Sequence, residues 1–429
     1  MDTDTRNPCV SRFMLLRQGP SCLVESITFI VVSALPVAAF AADECGADGA
    51  GQSTISCSAG PYASGIKYQV ADGLTLILDD AGIIVGEGGV SLESDATSTG
   101  NLSIEARNFA PFVTTVDGTG LVAIKRGTGD VSVTVTGGSV AITGPTQSQA
   151  HAVFARNLGE GGASVEVAGG TLTTEGNSSF GAYARAESVN AGLASALMSG
   201  GSIETTGSTA SSGVVAESAR TGGGAVATMT GGSILLRGDN ANGLEAIVSN
   251  GQSTADAITT FSGGKIEVQG NSNGVSARNS GTGSATIHIT GGQIFADQGS
   301  AVRMAMINSN TVGTGNIVID DGELVGVRTG VNAVKSGPGD MIVTLNGGSI
   351  RTTTTGGGTG ITLRSDNQAG GHDGNLVINI NGGTLDTVGT SSTGVLALTG
   401  SRGSTFINMR GGAVTTEGRA AFGLSAQHG

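Results

Sequence analysis

Residues 285–299 read Ala285-Thr-Ile-His-Ile-Thr-Gly-Gly-Gln-Ile-Phe-Ala-Asp-Gln-Gly299. A short alternating run ends in a glycine pair, and a second alternating run ends in another glycine. Variants of this phrase recur from Val131 to Gly418. The pairs, or a close relative, start at Gly137, Gly169, Gly200, Gly231, Gly263, Gly291, Asp321, Gly347, Gly382 and Gly411, in steps of 26 to 35 residues. A fixed period of roughly 20–50 residues marks a solenoid or an array.

Aligning the copies on the pair exposes files of like residues. Two places before it every residue is apolar, from Val135 and Val167 to Ile380 and Met409. Four places before it the file is again apolar or Ala, with Thr259 the exception. The position between the two and the one just before the pair are mostly small or polar. Apolar residues on even offsets mean a half-buried strand. Three places after the first Gly stand Val140, Leu172, Ile203, Ile234, Ile266, Ile294, Leu324, Ile350, Leu385 and Val414, the mark of a second strand. About ten residues later a third reads Gly-apolar-x-apolar, as in Gly181-Ala-Tyr-Ala, Gly243-Leu-Glu-Ala and Gly330-Val-Asn-Ala.

Three short strands and three turns per coil of about 30 residues, with no helical period between them, argue against βαβ crossovers. The economical solution is an all-β, single-stranded parallel β-helix, in which each strand pairs with its equivalent one coil on, at about 4.8 Å per coil. About twelve coils from near Ile66 to the end would make a rod on the order of 55–60 Å long. Glycines at the corners would supply positive φ and let turns approach closely. A propeller needs four strands per blade and usually aromatic packing. Zero Trp and 3% aromatic residues speak against it. Disorder, the other reading of a Gly/Ser/Thr-rich chain, does not account for the registered apolar files.

The N-terminus reads as an export signal. Arg6, Arg12 and Arg17 precede an apolar run from Ile27 to Phe40. Ala39-Phe40-Ala41 is an A-x-A-type cleavage site that predicts residues 1–41 as the signal peptide and Ala42 as the mature start. The long charged lead leaves Met1 and Met14 both open as the initiator. The run is shorter than the roughly 20 residues of a spanning helix. The net charge of −13 disfavours nucleic acid and anionic lipid as partners. It survives cleavage, because residues 1–41 carry three basic and three acidic side chains.

Cys45 and Cys57 remain in the exported chain, and their spacing suits a small disulfide loop. Such a loop would stabilise by roughly 3 kcal/mol on the entropic account. It lies in residues 42–65, the candidate cap for the first coil, whose edge would otherwise be open. Between Leu74 and Ile124 the alternation continues without clean Gly pairs, predicting irregular early coils. Phe109-Ala-Pro-Phe112 reads as a loop, since Pro cannot donate within a ladder.

An export signal followed by tandem "GGSI-x-TTG … GV-x-A … T-x-TGG" coils resembles the passenger region of bacterial autotransporters, the type V secretion family. The resemblance covers most of residues 66–429 and is periodic rather than a single signature. It implies a right-handed β-helix displayed at, or released from, the surface of a Gram-negative cell, often as an adhesin. It also implies an outer-membrane translocator, a β-barrel of about ten-residue strands with aromatic girdles, and nothing in this chain fits one. The sequence ends at Gln427-His428-Gly429 with its third strand barely finished. It is therefore read as a fragment, a truncated product or a passenger whose partner is encoded elsewhere. With no Asn-Pro-Asn near the mature start, it is less like two-partner secreted exoproteins.

Chemistry is hard to find. Glycoside hydrolysis needs two carboxylates around one bond. Asp79-Asp80 and Asp320-Asp321 are the only adjacent Asp pairs, and both read as turn residues. His372, in Gly371-His-Asp-Gly, has no basic cluster beside it. His151, His288, His372 and His428 lack metal-ligand spacing and read as solvated surface residues. Calcium nonapeptides and a phosphate loop are both missing. No catalytic, cofactor or metal residues are expected, and no enzyme. Arg237-Gly238-Asp239 is an adhesion-type tripeptide on a predicted turn, short enough to arise by chance. The expected function is an adhesin or structural interaction protein working through a repetitive Thr/Ser/Asn-rich face. Its partner would be a host-cell or matrix macromolecule, or a polysaccharide, bound by many weak contacts. The alternatives are an exported polysaccharide lyase or hydrolase, and self-association.

Overall fold

The computed structural model describes Cys45 and residues 53–114, 120–144, 149–366, 374–400 and 402–428. The chain divides into residues 1–40 and 41–429, and every described residue belongs to the second unit. Residues 1–41, expected to be a signal peptide, and His372 lie outside the described residues.

Among the described residues every regular element is a β-strand and every ladder is parallel, so the expected parallel β-solenoid is what forms. The first and second strands of successive coils merge into one sheet of 22 strands, and the third strands form a separate sheet of 13. The glycine pair bends the chain without always interrupting it. Ala285–Ala296 and Gly315–Gly326 each run through it as one 12-residue strand. Register between coils is residue for residue: Ile287 pairs with Ile317 and Ile289 with Ile319. Equivalent side chains therefore stack inside, and Ile287, Ile317, Val343 and Ile378 are fully buried in one file. Each such side chain contributes roughly 1.5–3 kcal/mol by leaving water. Thr259, the exception in this file, is buried and donates from Oγ1 to the Ser276 carbonyl at 2.7 Å.

Two glycine files have different causes. The second Gly of each pair holds a positive φ, such as 72° at Gly348, where a side chain is strained. The first Gly is needed for space, since a Cβ at Gly347 would stand 2.3 Å from the Asp320 carbonyl oxygen. Asp321 occupies that first position with a Cβ, and the ladder shifts register there, between Ile289 and Thr290. The glycine opening the third strand needs no special φ. It makes room for the second-strand side chain: a Cβ on Gly274 would lie 2.2 Å from Ile294 Cγ2.

Parallel pairing starts earlier than residue 66. Thr54–Cys57, within the stretch read as a cap, pairs with Leu74–Asp79. The coils expected to be irregular are in register too, Val90 pairing with Leu121 and Leu102 with Val131. They lack the glycine pair between first and second strands yet keep the alternation, which holds the ladder in register up to a shift at Leu78/Asp79. Phe109 and Phe112 are both buried, with ring centroids 5.9 Å apart.

The last inward position of the third strand is often polar. Asn157 Nδ2 donates to the carbonyls of Gly129 and Gly162, and Asn279 Nδ2 to those of Ala255 and Ser284. Lys125 and Lys335 also point inward there, Nζ donating to Ser98 Oγ and to the Gly339 carbonyl at 2.6 Å each. Asn157, Asn279 and Lys335 thus bond turn carbonyls inside the coils, and Lys125 a turn hydroxyl. Burial lowers both lysine pKa values, that of Lys335 to about 8.

Candidate functional site

The outer face of the large sheet carries the expected Thr/Ser/Asn ladders. Ser132 donates to Ser103 at 2.9 Å, Ser202 to Thr171 at 3.3 Å and Asn408 to Asn379 at 3.0 Å. At the corner, Asn381 Nδ2 donates to Asn346 Oδ1 at 2.8 Å, and Asn346 Nδ2 to Asp320 Oδ1 at 2.7 Å. A depression of about 410 Å³ on this sheet, lined in part by Lys265, Glu267, Gln293, Phe295 and Glu323, has its polar groups paired. Lys265 binds Glu267 at 2.9 Å and Gln293 binds Glu323 at 3.0 Å.

The thirteen-strand sheet is different. Its first outward position reads Val122, Phe154, Tyr183, Val215, Glu245, Ser276, Arg303 and Asn332 along consecutive coils. In the Gly-apolar-x-apolar phrase this file is the variable x. Three clefts open beside it, of about 320, 400 and 340 Å³.

The first is lined by aromatic rings. Phe154 and Tyr183 stack at 5.0 Å and 8°, and His151 lies against Phe180 at 4.9 Å and 20°. His151 is buried, contrary to its reading as a solvated surface residue, because Phe154, Phe180 and Tyr183 pack around it. Its Nδ1 accepts from the Phe180 amide at 3.0 Å. Burial, helped by the Arg185 charge, pushes its pKa down to about 3. The charges here are joined in one network. Arg156 Nε donates to Glu187 at 2.7 Å. Arg185 Nε lies 3.3 Å from Glu187 and 3.4 Å from Glu217. Tyr183 Oη donates to Glu217, which also accepts from Ser249 at 2.8 Å. Burial and the Glu217 carboxylate hold the Tyr183 phenol far above its ordinary range.

One strand further, past Val214–Ser218, lie the second and third clefts. Glu245 is buried and accepts from Asn242 Nδ2 at 2.7 Å and Ser276 Oγ at 3.2 Å. Burial raises its pKa, opposed by those hydrogen bonds and by Arg278 and Arg303. Arg303 lines both clefts, which we take together as one groove. The third cleft adds Arg328, Asn332, Gln298, Asn271 and Asn273. Asn273 Nδ2 donates to Asn242 Oδ1 at 2.9 Å, and the Ser300 amide donates to Asn273 Oδ1 at 3.1 Å. These ladders hold the groove wall rigid.

The sites named from sequence fall elsewhere. Cys45 and Cys57 are joined by a disulfide, Cα atoms 4.8 Å apart. In the tripeptide, Arg237 Nε donates to Glu204 at 2.8 Å and Asp239 Oδ1 accepts from the Asn271 amide at 2.7 Å. A Cβ on Gly238 would meet the Gly207 carbonyl oxygen at 1.9 Å. All three residues thus serve contacts between coils. Asp80 and Asp321 accept from the amides of Gly82 and Gly322, as turn Asp residues do. His288 is half-exposed on an outward position and its Nε2 lies 2.7 Å from Asp320 Oδ2. His428 is exposed. Among the described residues no group of three His, Cys, Asp or Glu is placed to hold a metal. Sequence reasoning did not pick out Glu245, Arg278, Arg303 or Arg328. For Glu245 and Arg303 the signal was present in the x file, whose residue type changes sharply after Val215. Compared with known proteins, the chain matches no family model, no curated protein and no solved structure.

Proposed function

We propose that this chain is an exported solenoid of the autotransporter-passenger type, displayed at or released from a Gram-negative surface, that binds an extended polymer lengthwise and so acts as an adhesin or matrix-binding protein. The observation that carries this reading is the alignment of three clefts along one sheet, each coil offering an equivalent position to the next. A polymer lying along the coils would meet weak contacts at a spacing of about 4.8 Å, and affinity would build by number. The parallel solenoid supports the passenger reading, as does the signal-like N-terminus.

The test is binding of the full chain to immobilised polysaccharides and matrix proteins, with soluble fragments of increasing length as competitors. Inhibition should rise steeply with fragment length. Competition as strong by a monomer as by a long fragment would refute lengthwise binding. Protease treatment of intact expressing cells tests display, and N-terminal sequencing should place the mature start at Ala42.

The enzymatic alternative has one feature in its favour. Glu245 is a buried carboxyl in a groove with its pKa raised, as proton donors often are. The neighbouring Glu217 is already held by Tyr183 and Ser249. Release of new reducing or unsaturated ends from a polysaccharide during incubation would favour the enzyme over the binder.

A further inference from the structure

The arginines of the thirteen-strand sheet fall into two sets. Arg156 and Arg185 lie against Glu187 and Glu217. Arg126 and Arg364, also on or beside this sheet, pair with Glu93 and Asp366. Arg278, Arg303 and Arg328 lie on three successive coils and form no ion pair among the described residues. All three side chains are exposed into the groove. No carboxylate lines the third cleft. The one carboxyl of the second, Glu245, is buried beneath Asn242 and Ser276. In a protein of net charge −13, three guanidiniums without an ion pair line one groove, and the one carboxyl that Arg278 and Arg303 act on there, Glu245, is buried.

Building on the reading that a polymer lies along this face, we propose that the groove of Arg278, Arg303 and Arg328 binds an acidic polysaccharide, its carboxylates or sulfates taken by the guanidiniums. Arginine suits this role because its planar fork matches a carboxylate or sulfate in bidentate fashion and is weakly hydrated. The side chains between the arginines are Asn271, Gln298, Thr329 and Asn332, which donate and accept hydrogen bonds as sugar hydroxyls require. An extended polysaccharide advances about as far per sugar as the solenoid does per coil, about 4.8 Å. Successive charged units can therefore meet successive coils. A nucleic acid fits less well. No aromatic ring lines either arginine cleft to stack a base, and the surrounding negative charge repels a dense phosphate backbone.

The experiment measures binding of the full chain to a polyuronate of defined length, to its methyl-esterified neutral form, to a neutral glucan and to a single-stranded oligonucleotide of equal charge. The polyuronate should bind, more weakly as salt rises, and the esterified and neutral polymers should bind at least tenfold more weakly. Arg303→Gln, at the junction of the clefts, should weaken polyuronate binding roughly tenfold or more. The triple change with Arg278→Gln and Arg328→Gln should abolish it. Circular dichroism should show the sheet intact, and Arg351→Gln on the other sheet should bind as the parent does. Undiminished polyuronate binding by the triple variant overturns the site. Equal binding of the oligonucleotide overturns the ligand class. Length-dependent binding of neutral polymers alone overturns this inference while leaving the polymer-binding reading in place. Failure of every polymer to bind overturns both.

Discussion

The two outer faces of this solenoid are built by the same stacking rule and end in opposite states. On the large sheet, several outward files repeat one residue type in register, such as Ser103, Ser132 and Ser164, so those side chains meet their like one coil away. Hydroxyls and amides both donate and accept, and like pairs therefore bond each other. Asn381, Asn346 and Asp320 show the outcome: their polar atoms are engaged along the axis. On the thirteen-strand sheet the outward file changes from Phe154, Tyr183 and Val215 to Glu245, Ser276, Arg303 and Asn332. Arginine cannot bond arginine, so guanidiniums are left facing solvent. Repetition satisfies polar groups internally, and departure from repetition leaves groups able to bind something else.

The harshest perturbation removes the frame that both faces share. Gly274→Val places carbon 2.2 Å from Ile294 Cγ2 and 2.6 Å from the Ala301 carbonyl oxygen, forcing the third strand off the second. The expected loss is about 3 kcal/mol or more. A solenoid need not unfold in one step, so the readout is amide exchange by coil, with protection lost first around residues 266–302. Gly356→Ala is the matched control. Nothing lies within 4 Å of its Cβ position, so its effect should stay within about 0.5 kcal/mol.

Within the groove sheet, two buried groups should give the aromatic and arginine ends opposite responses to pH. The His151 pKa is depressed to about 3, so the unfolded chain takes up a proton below about 6.5 that the folded one refuses. Stability is then lost as pH falls from about 6.5 toward 3, at a slope approaching about 1.4 kcal/mol per unit. Glu245 has its pKa raised, so above its ordinary value the unfolded chain releases a proton that the folded one keeps. Stability is then lost as pH rises through that window. Wild type shows the sum of the two slopes, which partly cancel. Chemical denaturation at several pH values should show a steeper acid loss in Glu245→Gln. In His151→Phe the acid loss should shrink, on top of a uniform cost of about 1–3 kcal/mol from the unpaired Phe180 amide. Unchanged pH profiles in both variants would mean that neither group is buried as described.

Much of the frame was legible in the sequence because period two and the glycine files are consequences of backbone sterics. Ile287, Ile317 and Val343 had to face inward for the ladder to exist. The misreadings share one cause: a side chain's neighbours come from other coils, about 30 residues away. His151 looks solvated until Phe154, Phe180 and Tyr183 are brought around it. The early coils looked irregular because glycine pairs after the first strand served as the ruler, and the strands Leu74–Asp79 and Leu102–Asn108 pair without them. Arg237 and Asp239, in a tripeptide read as short enough to arise by chance, likewise find their partners, Glu204 and Asn271, on adjacent coils.

The mildest substitution separates the two faces most clearly. Asn346→Ala removes two hydrogen bonds from an exposed ladder. It should cost about 0.5 kcal/mol, at the low end for hydrogen bonds open to water. The Asp320 carboxyl is held below its ordinary pKa by hydrogen bonds from Asn346 and His288. NMR titration of Asp320 should therefore move upward in the variant, while polymer binding stays as in the parent. Arg303→Gln should do the reverse, changing stability little, since no ion pair is lost, and weakening binding. If the ladder change impaired binding as much as the arginine change, the ligand would touch both faces. The division between a self-satisfied face and an open one would then be wrong.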